Sequence, residues 1–293
     1  MSRYRAGKDN RLRKVVFTGA GQTRTFTGQV KAGSKISLES SQVNQLSLGL
    51  IDDSAMSMWR KGNIRKGTTV VYDGWLRFEV RGYTVNPNTG AIDLTVRSKG
   101  TSKLKDQRGA KNWGKPNVQK WMEARFREAG LVPIVEPFGA RPIARQKAES
   151  GSQAESTWDV MGRLRDELGA WLFEAGGYGV FGRPTWLYKT RGGGKLDRWE
   201  FRWNSANSYS STLAGSPVYT YSADSSPRDE MTFNLVSYDS GDMKPGDTVW
   251  FSGAFTGING GWIVKSVDIP LASTEPVQVS CMRPRNPVPQ KAG

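Results

Sequence analysis

Gly67-Thr68-Thr69-Val70-Val71-Tyr72-Asp73-Gly74 and Gly246-Asp247-Thr248-Val249-Trp250-Phe251-Ser252-Gly253 are two versions of one pattern, 179 residues apart (246 − 67). Each opens on Gly, passes through an apolar run and closes on a second Gly. That is the composition of a short strand between tight turns. The likeness extends outward in the same order. Upstream, Leu46-Ser47-Leu48-Gly49-Leu50 matches Met231-Thr232-Phe233-Asn234-Leu235 at an offset of 185 (231 − 46). Both alternate apolar with small or polar residues, the period of a half-buried strand. Downstream, Phe78 to Val85 corresponds loosely to Trp262 to Ile269, and Ile92 to Arg97 to Val277 to Met282. Gly-x-Thr-Val is common by chance, but order and spacing agree as well as letters, which favours duplication of a β unit.

The rest of each unit reads the same way. Val15-Val16-Phe17 is an apolar run, Asp73-Gly74 a tight turn, and Asn86-Pro87-Asn88-Thr89-Gly90 a turn cluster. Lys244-Pro245-Gly246-Asp247 is a turn, and Asn259-Gly260 is a hairpin signal. Between the copies the period changes. Pro116 sits where a first helical residue fits. Val118, Trp121, Met122, Phe126 and Ala129 then share one helical face, and Gly130 supplies the stop. Leu131 to Val135 reads as a strand, and residues 139–155 as a polar loop. A second helix starts at Ser156, with Asp159 close to a capping box, carries Trp158, Met161, Leu164 and Leu168 on one face, and ends at Gly169. Ala170 to Phe173 and Tyr178 to Phe181 form a hairpin around Gly176-Gly177. Trp199, Phe201 and Trp203 alternate in a further strand. The pattern predicts a mainly β chain with a smaller α+β part: two related β-barrel domains with an α+β domain between them. The expected boundaries are residues 1–105 for the first barrel, 106–205 for the α+β domain and 206–293 for the second barrel.

Composition narrows the function. The chain of 293 residues has no histidine and one cysteine, Cys281. Ser-His-Asp and Cys-His catalysis are thereby excluded, with His-ligated metals, Cys-rich zinc sites and an internal disulfide. Cys281 reads as a small buried apolar residue. No early apolar run resembles a signal peptide, and no stretch approaches the roughly 20 apolar residues of a membrane span. The expectation is a chain made in the cytoplasm of its host and soluble until it meets a partner. The net charge of +15 is uneven. Arg3, Arg5, Lys8, Arg11, Arg13 and Lys14 crowd the N-terminus, and Arg97, Lys99, Lys103, Lys105, Arg108, Lys111, Lys115 and Lys120 form a second run. Arg283, Arg285 and Lys291 add a basic C-terminal tail. Such runs suit acidic protein faces or phosphate backbones, or serve only solubility. Residues 1–14 are expected to form an arm that orders against a neighbouring subunit.

Candidate chemical groups are weak. Asp159, Asp166 and Glu167 share one short helix, and a carboxylate pair can work as acid and base in a glycosidase. However, Asp166 and Glu167 are adjacent and diverge on a helix, and capping accounts for Asp159. Asp52-Asp53 reads as turn residues at a strand end in preference to an ion site. Gly192-Gly193-Gly194-Lys195 is followed by Leu196, where a phosphate-binding loop needs Ser or Thr, and reads as a flexible loop. Trp113 between Lys111 and Lys115 suits base stacking, but core or subunit packing explains it better. No catalytic, cofactor-binding or metal residue is assigned, and the chain is not read as an enzyme.

Two stretches resemble a known family. One runs from Glu155-Ser156-Thr157-Trp158-Asp159 through Gly169-Ala170-Trp171-Leu172-Phe173 to Val180-Phe181-Gly182. The other pairs Pro245-Gly246-Asp247-Thr248-Val249 with Asn259-Gly260-Gly261-Trp262-Ile263-Val264. They are similar to the Trp-bearing helix and final barrel of phage tail hub proteins, a group that includes the late control D family and the N-terminal part of VgrG spikes. With the duplicated barrel the resemblance covers most of the chain. It implies a structural hub at the virion tail tip: a homotrimer whose six barrels form a ring joining the sixfold tail tube to the threefold tip. The implied partners are a distal tail or tail tube ring, tail tip or spike proteins and a tape measure protein, with DNA passing through the lumen. Two readings from other classes stand beside it, a tail-tip peptidoglycan hydrolase and a sequence-independent DNA-binding protein.

Overall fold

Alternating apolar residues become strand register once one face of each strand is buried. The computed structural model describes residues 14–19, 22–27, 31, 33–40, 43–51, 53–72, 75–143, 154–202, 213–222, 228–235, 243–253, 257–271 and 276–286. The expected N-terminal arm before Lys14, Asp52, the Asp73-Gly74 turn, Trp203 and Lys291 lie outside them, as does most of the basic loop after Ile143.

The first unit holds β1 (Lys14–Gly19), β2 (Gln22–Thr27), β3 (Lys35–Glu39), β4 (Gln45–Ile51), helix α1 (Asp53–Arg60), β5 (Thr69–Tyr72), β6 (Leu76–Asn86) and β7 (Ala91–Ser98). All its strand pairs are antiparallel, in the order β3-β4-β7-β6-β5-β1-β2. Helices α2 (Lys99–Asp106) and α3 (Val118–Glu128) follow, then β8 (Val132–Val135), α4 (Thr157–Leu168), β9 (Trp171–Ala175), β10 (Tyr178–Gly182) and α5 (Pro184–Gly194). Here β8-β10-β9 form a separate three-stranded sheet, with β8 parallel to β10. The last unit is β11 (Arg198–Arg202), β12 (Val218–Ser222), β13 (Arg228–Leu235), β14 (Thr248–Ser252), β15 (Gly260–Pro270) and β16 (Val277–Met282). The class is the one expected: mainly β, with a smaller α+β part between two related β units.

The duplication holds at the level of single residue pairs. In the first unit Leu46, Leu48 and Leu50 face Val96, Leu94 and Ile92; in the second, Met231, Phe233 and Leu235 face Cys281, Val279 and Val277. Every one of these positions is shifted by 185 (231 − 46; 281 − 96). Val70 faces Phe78 as Val249 faces Trp262. Both long strands carry a bulge at the same place, at Arg81 between Val80 and Gly82 and at Lys265 between Val264 and Ser266. Since a slip of one residue would turn each strand inside out, agreement at this many pairs marks one unit used twice. The two units are joined edge to edge by β3 and β15 and share one continuous apolar core that includes Phe17, Phe78, Phe233, Phe251, Trp262 and Cys281.

The α+β part follows its local sequence signals closely. Ser156 caps α4: Asp159 N donates to Ser156 Oγ at 3.3 Å and Ser156 N to Asp159 Oδ2 at 2.8 Å. Gly169 ends the helix in the left-handed region, at φ 58°. In α3 the start differs from expectation. Asn117 is the cap, accepting from Lys120 N at 3.0 Å, and Pro116 precedes it. Three helices are absent from the sequence reading. Asp53, expected in a turn, opens α1; α2 follows β7 directly; and Pro184 is the first residue of α5. The latter loses helical geometry at Arg191, Gly192 and Gly193, whose φ values are 48°, 55° and 73°. The triple glycine is thus a left-handed turn ending a helix.

Candidate assembly interface

The two Gly-led strands start from the same turn built with different chemistry. In the first unit Thr68 N donates to Arg65 O at 3.0 Å, and Arg65 N to Thr68 Oγ1 at 3.1 Å. In the second, Asp247 N donates to Lys244 O at 3.2 Å, and Lys244 N to Asp247 Oδ2 at 3.1 Å. Gly67 and Gly246 hold the third position with φ of 91° and 89°, which a type II turn requires and Gly adopts without penalty. Their N–H groups donate to Val80 O and Val264 O, both at 2.9 Å.

What differs is the next strand over. Beside β5 lies β1, antiparallel; beside β14 lies β11, parallel. The parallel strand brings Asp197 and Trp199 to the turn. Asp247 accepts from Asp197 N at 3.0 Å and from Trp199 Nε1 at 3.2 Å. Lys244 Nζ lies 2.8 Å from Asp197 and 3.3 Å from Asp247. Burial pushes the Asp247 carboxyl up to about 6 against the pull of Lys244 and its N–H donors. Burial alone would lower Lys244, but the carboxylates of Asp247 and Asp197 hold it above the ordinary lysine range. A second buried acid, Glu174, ties the α+β part to the first unit. It accepts from Gly100 N and from Thr101 N and Oγ1 at the start of α2, and burial raises its pKa. These acids brace junctions between elements. The pocket beside Glu174 and Lys103 holds about 210 Å³, below the roughly 300 Å³ at which small-molecule sites begin.

The residues singled out in the sequence are similarly employed. Asp159 is in its cap, and Asp166 pairs with its neighbour Arg165 at 2.8 Å. Glu167 is half-buried on the same helix. Trp113 packs edge-on against Trp121 at 5.3 Å, with the Arg125 guanidinium 4.9 Å and the Lys111 ammonium 5.4 Å from its ring. Cys281 is fully buried, and burial raises its thiol well above the ordinary range. Arg283 and Arg285, expected in a basic tail, are instead part of the fold. Arg283 lies 3.9 Å from the Trp262 ring centroid and donates to the carbonyls of Gly257, Asn259 and Gly261, while Arg285 pairs with Asp229 at 3.0 Å. The run from Arg97 to Lys120 does offer exposed charge, at Lys103, Arg108, Lys115 and Lys120. Burial, then the nearby charges of Arg97 and Arg108, lower the pKa of Lys105. Positive charge crowded in this way around Lys105 suits an acidic partner. Among the described residues no group of three or more His, Cys, Asp or Glu could hold a metal, and no helix is long and apolar enough to cross a membrane.

The sheet edges were not legible in the sequence. Inside the chain, β15 lends the edge of Ser266–Pro270 to β3, burying Val267 against Leu38 and Ile269 against Ile36. Among the described residues β12 has a partner on one side only, and the Gly82–Asn86 half of β6 pairs with β7 alone. Tyr83, Val218, Tyr219 and Tyr221 stand exposed there. The alternation Val218-Tyr219-Thr220-Tyr221 was the available signal.

No family model and no curated protein matches this chain. Solved structures do. The 43 kDa tail protein of prophage MuSo2 from Shewanella oneidensis superposes with a TM-score of 0.61 at 11% identity, over 92% of this chain and 97% of its own. A tail protein from Neisseria meningitidis MC58 gives 0.61 at 10% identity, over 92% and 96%. A component of the Escherichia coli type VI secretion system, itself similar in structure to the T4 bacteriophage tail proteins gp27 and gp5, gives 0.57 at 12%, over 93% and 79%. Coverage this complete on both sides concerns the whole architecture, both β units with the α+β part between them. The chain therefore has the fold of phage and prophage tail proteins, the fold that the Trp-bearing helix and the Pro-Gly-Asp turn resemble.

Proposed function

We propose that this chain is a structural hub protein of a phage or phage-like tail, without enzymatic activity. Three copies form a ring of six β units that joins the sixfold tail tube to the threefold tail tip. In this reading residues 1–105 and 206–293 supply the ring, with β11 added to the second unit from just before residue 206, and the rest of residues 106–205 forms the α+β domain beside it. One observation carries the proposal: a β unit repeated with conserved register and joined head to tail within one chain. Head-to-tail contacts close into rings when the rotation allows, and two units per chain turn a threefold assembly into a pseudo-sixfold one. The fold shared with tail proteins supports the setting. The partners are a distal tail or tail tube ring on one side, tip or spike proteins on the other, and a tape measure protein. The ring surrounds the path of the DNA. The positive charges crowded at Arg97, Lys105 and Arg108 suit acidic partner surfaces.

Absolute quantification of the chain in purified particles, with antibody labelling in negative stain, tests the reading. Three copies per tail, labelled at the tip end, are expected. Two or six copies, or label distributed along the tube, would overturn it.

A further inference from the structure

Among the described residues, the junction between the two units has an unpaired counterpart in each unit. In the junction, Ser266 to Pro270 of β15 pair antiparallel with Glu39 to Lys35 of β3. The bulge-matched offset of 184 (266 − 82) carries the β15 segment onto Gly82–Asn86 of β6. The strand equivalent to β3 is β12, since Lys35 faces Ser47 and Val218 faces Thr232, an offset of 183 (218 − 35). Each vacant edge is therefore the partner type that the other lacks.

The side chains tell the same story. Val267 and Leu38 face each other across the junction and are both 0% exposed; their counterparts Tyr83 and Tyr221 are 45% and 56% exposed. Ile36 is 0% exposed and its counterpart Tyr219 39%. Positions that the internal junction buries are left open at the ends. Edges that must stay single are guarded by Lys, Pro or inward charge. The β12 strand, Val-Tyr-Thr-Tyr-Ser, carries none of these.

We infer that Val218–Ser222 of one copy adds as an antiparallel strand to the free edge of Gly82–Asn86 in a second copy. The register is that of the internal junction, with Tyr83 facing Tyr221, Thr84 facing Thr220 and Val85 facing Tyr219. The contact uses two different surfaces, so it is head-to-tail and leaves each copy able to bind two neighbours. Strand addition supplies affinity through main-chain hydrogen bonds, and the tyrosines give the pairing its register. The inference deepens the proposed hub ring and rests on it for the number of copies.

Two measurements on the full chain test it. Tails assembled with the Tyr83→Cys, Tyr221→Cys double variant are oxidised mildly; facing residues have Cβ atoms about 4.5–5.5 Å apart, close enough for cross-linking. A covalent ladder ending at three chains is expected, and neither single variant should give it. Amide exchange on wild-type protein needs no variant. Alternate amides in Gly82–Asn86 and Val218–Ser222 should slow at least about tenfold between isolated chain and assembled tail. Unchanged exchange in both segments overturns the strand addition, and with three copies per tail it leaves the hub reading standing. Protection and linkage with any other copy number keep the strand addition and overturn the ring of three.

Discussion

The strands β5 and β14 begin at matching turns and pair in matching register with β6 and β15, yet one has an antiparallel neighbour and the other a parallel one. That single difference changes the chemistry of the turn. Where the hairpin strand β1 lies alongside β5, a Thr68 hydroxyl is sufficient, accepting from Arg65 N and donating to Asn63 O. Where β11 arrives from the α+β part, its chain brings two more N–H donors, and an aspartate meets them with Lys244 alongside. The repeat conserves backbone geometry and lets its side chains follow the company each copy keeps.

The largest effect expected from this contrast is the removal of the two side chains. Asp247→Ala leaves buried N–H groups and part of the Lys244 charge unmatched and should cost about 3–5 kcal/mol. Thr68→Ala removes a neutral pair of hydrogen bonds and should cost about 1 kcal/mol. Urea unfolding of the two variants checks the difference; equal losses would show that the turns are energetically alike.

The charged turn should also respond to pH. Between about pH 4 and pH 6 the folded chain holds a proton on Asp247 that the unfolded chain has released, so raising the pH through this window removes stability. A carboxyl moved from 3.8 to about 6 corresponds to at most about 3 kcal/mol. Measured against Asp247→Asn, wild-type stability should fall across the window and level off above it. A difference that rises with pH would reverse the sign of the argument.

A smaller contrast separates the turn glycines. An added Cβ at Gly67 meets nothing within 4 Å, whereas at Gly246 it would stand 3.0 Å from the Phe173 ring and 3.3 Å from Leu196. Both substitutions carry the left-handed cost of about 1–2 kcal/mol. Gly246→Ala should add about 1–3 kcal/mol of overpacking, readable as a lower urea midpoint. Smallest of all, Tyr221→Ser on the open edge should change the stability of the isolated chain by less than about 0.5 kcal/mol, while weakening assembly. A larger loss in the isolated chain would mean that β12 is completed within its own chain.

The duplicated core was legible because alternation along a strand reports which face is buried, and Leu46, Leu48 and Leu50 or Met231, Phe233 and Leu235 state it plainly. Helices α3 and α4 were legible from their apolar faces and, in α4, from Ser156, Asp159 and Gly169. Helices α1, α2 and α5 were not. Lys99 to Asp106 is a polar segment whose first turn is held by Glu174, some seventy residues away, and no local pattern announces such a cap. The edges escaped for a related reason. Tyr83 and Tyr221 look like ordinary strand residues until the internal junction shows that their counterparts Val267 and Leu38 are buried against each other. Arg283 has the sequence signature of a basic tail, because its stack on Trp262 depends on a hairpin closing around both.

In the proposed hub, three copies of a twice-repeated unit make one ring of six. A density map of the assembled tail tip, reconstructed without imposed sixfold symmetry, tests it most directly. Three chains are expected, with Val70 and Val249 alternating at the same radius and height around the axis. Val70 and Val249 at unrelated radii, or a ring with any other number of chains, would contradict it.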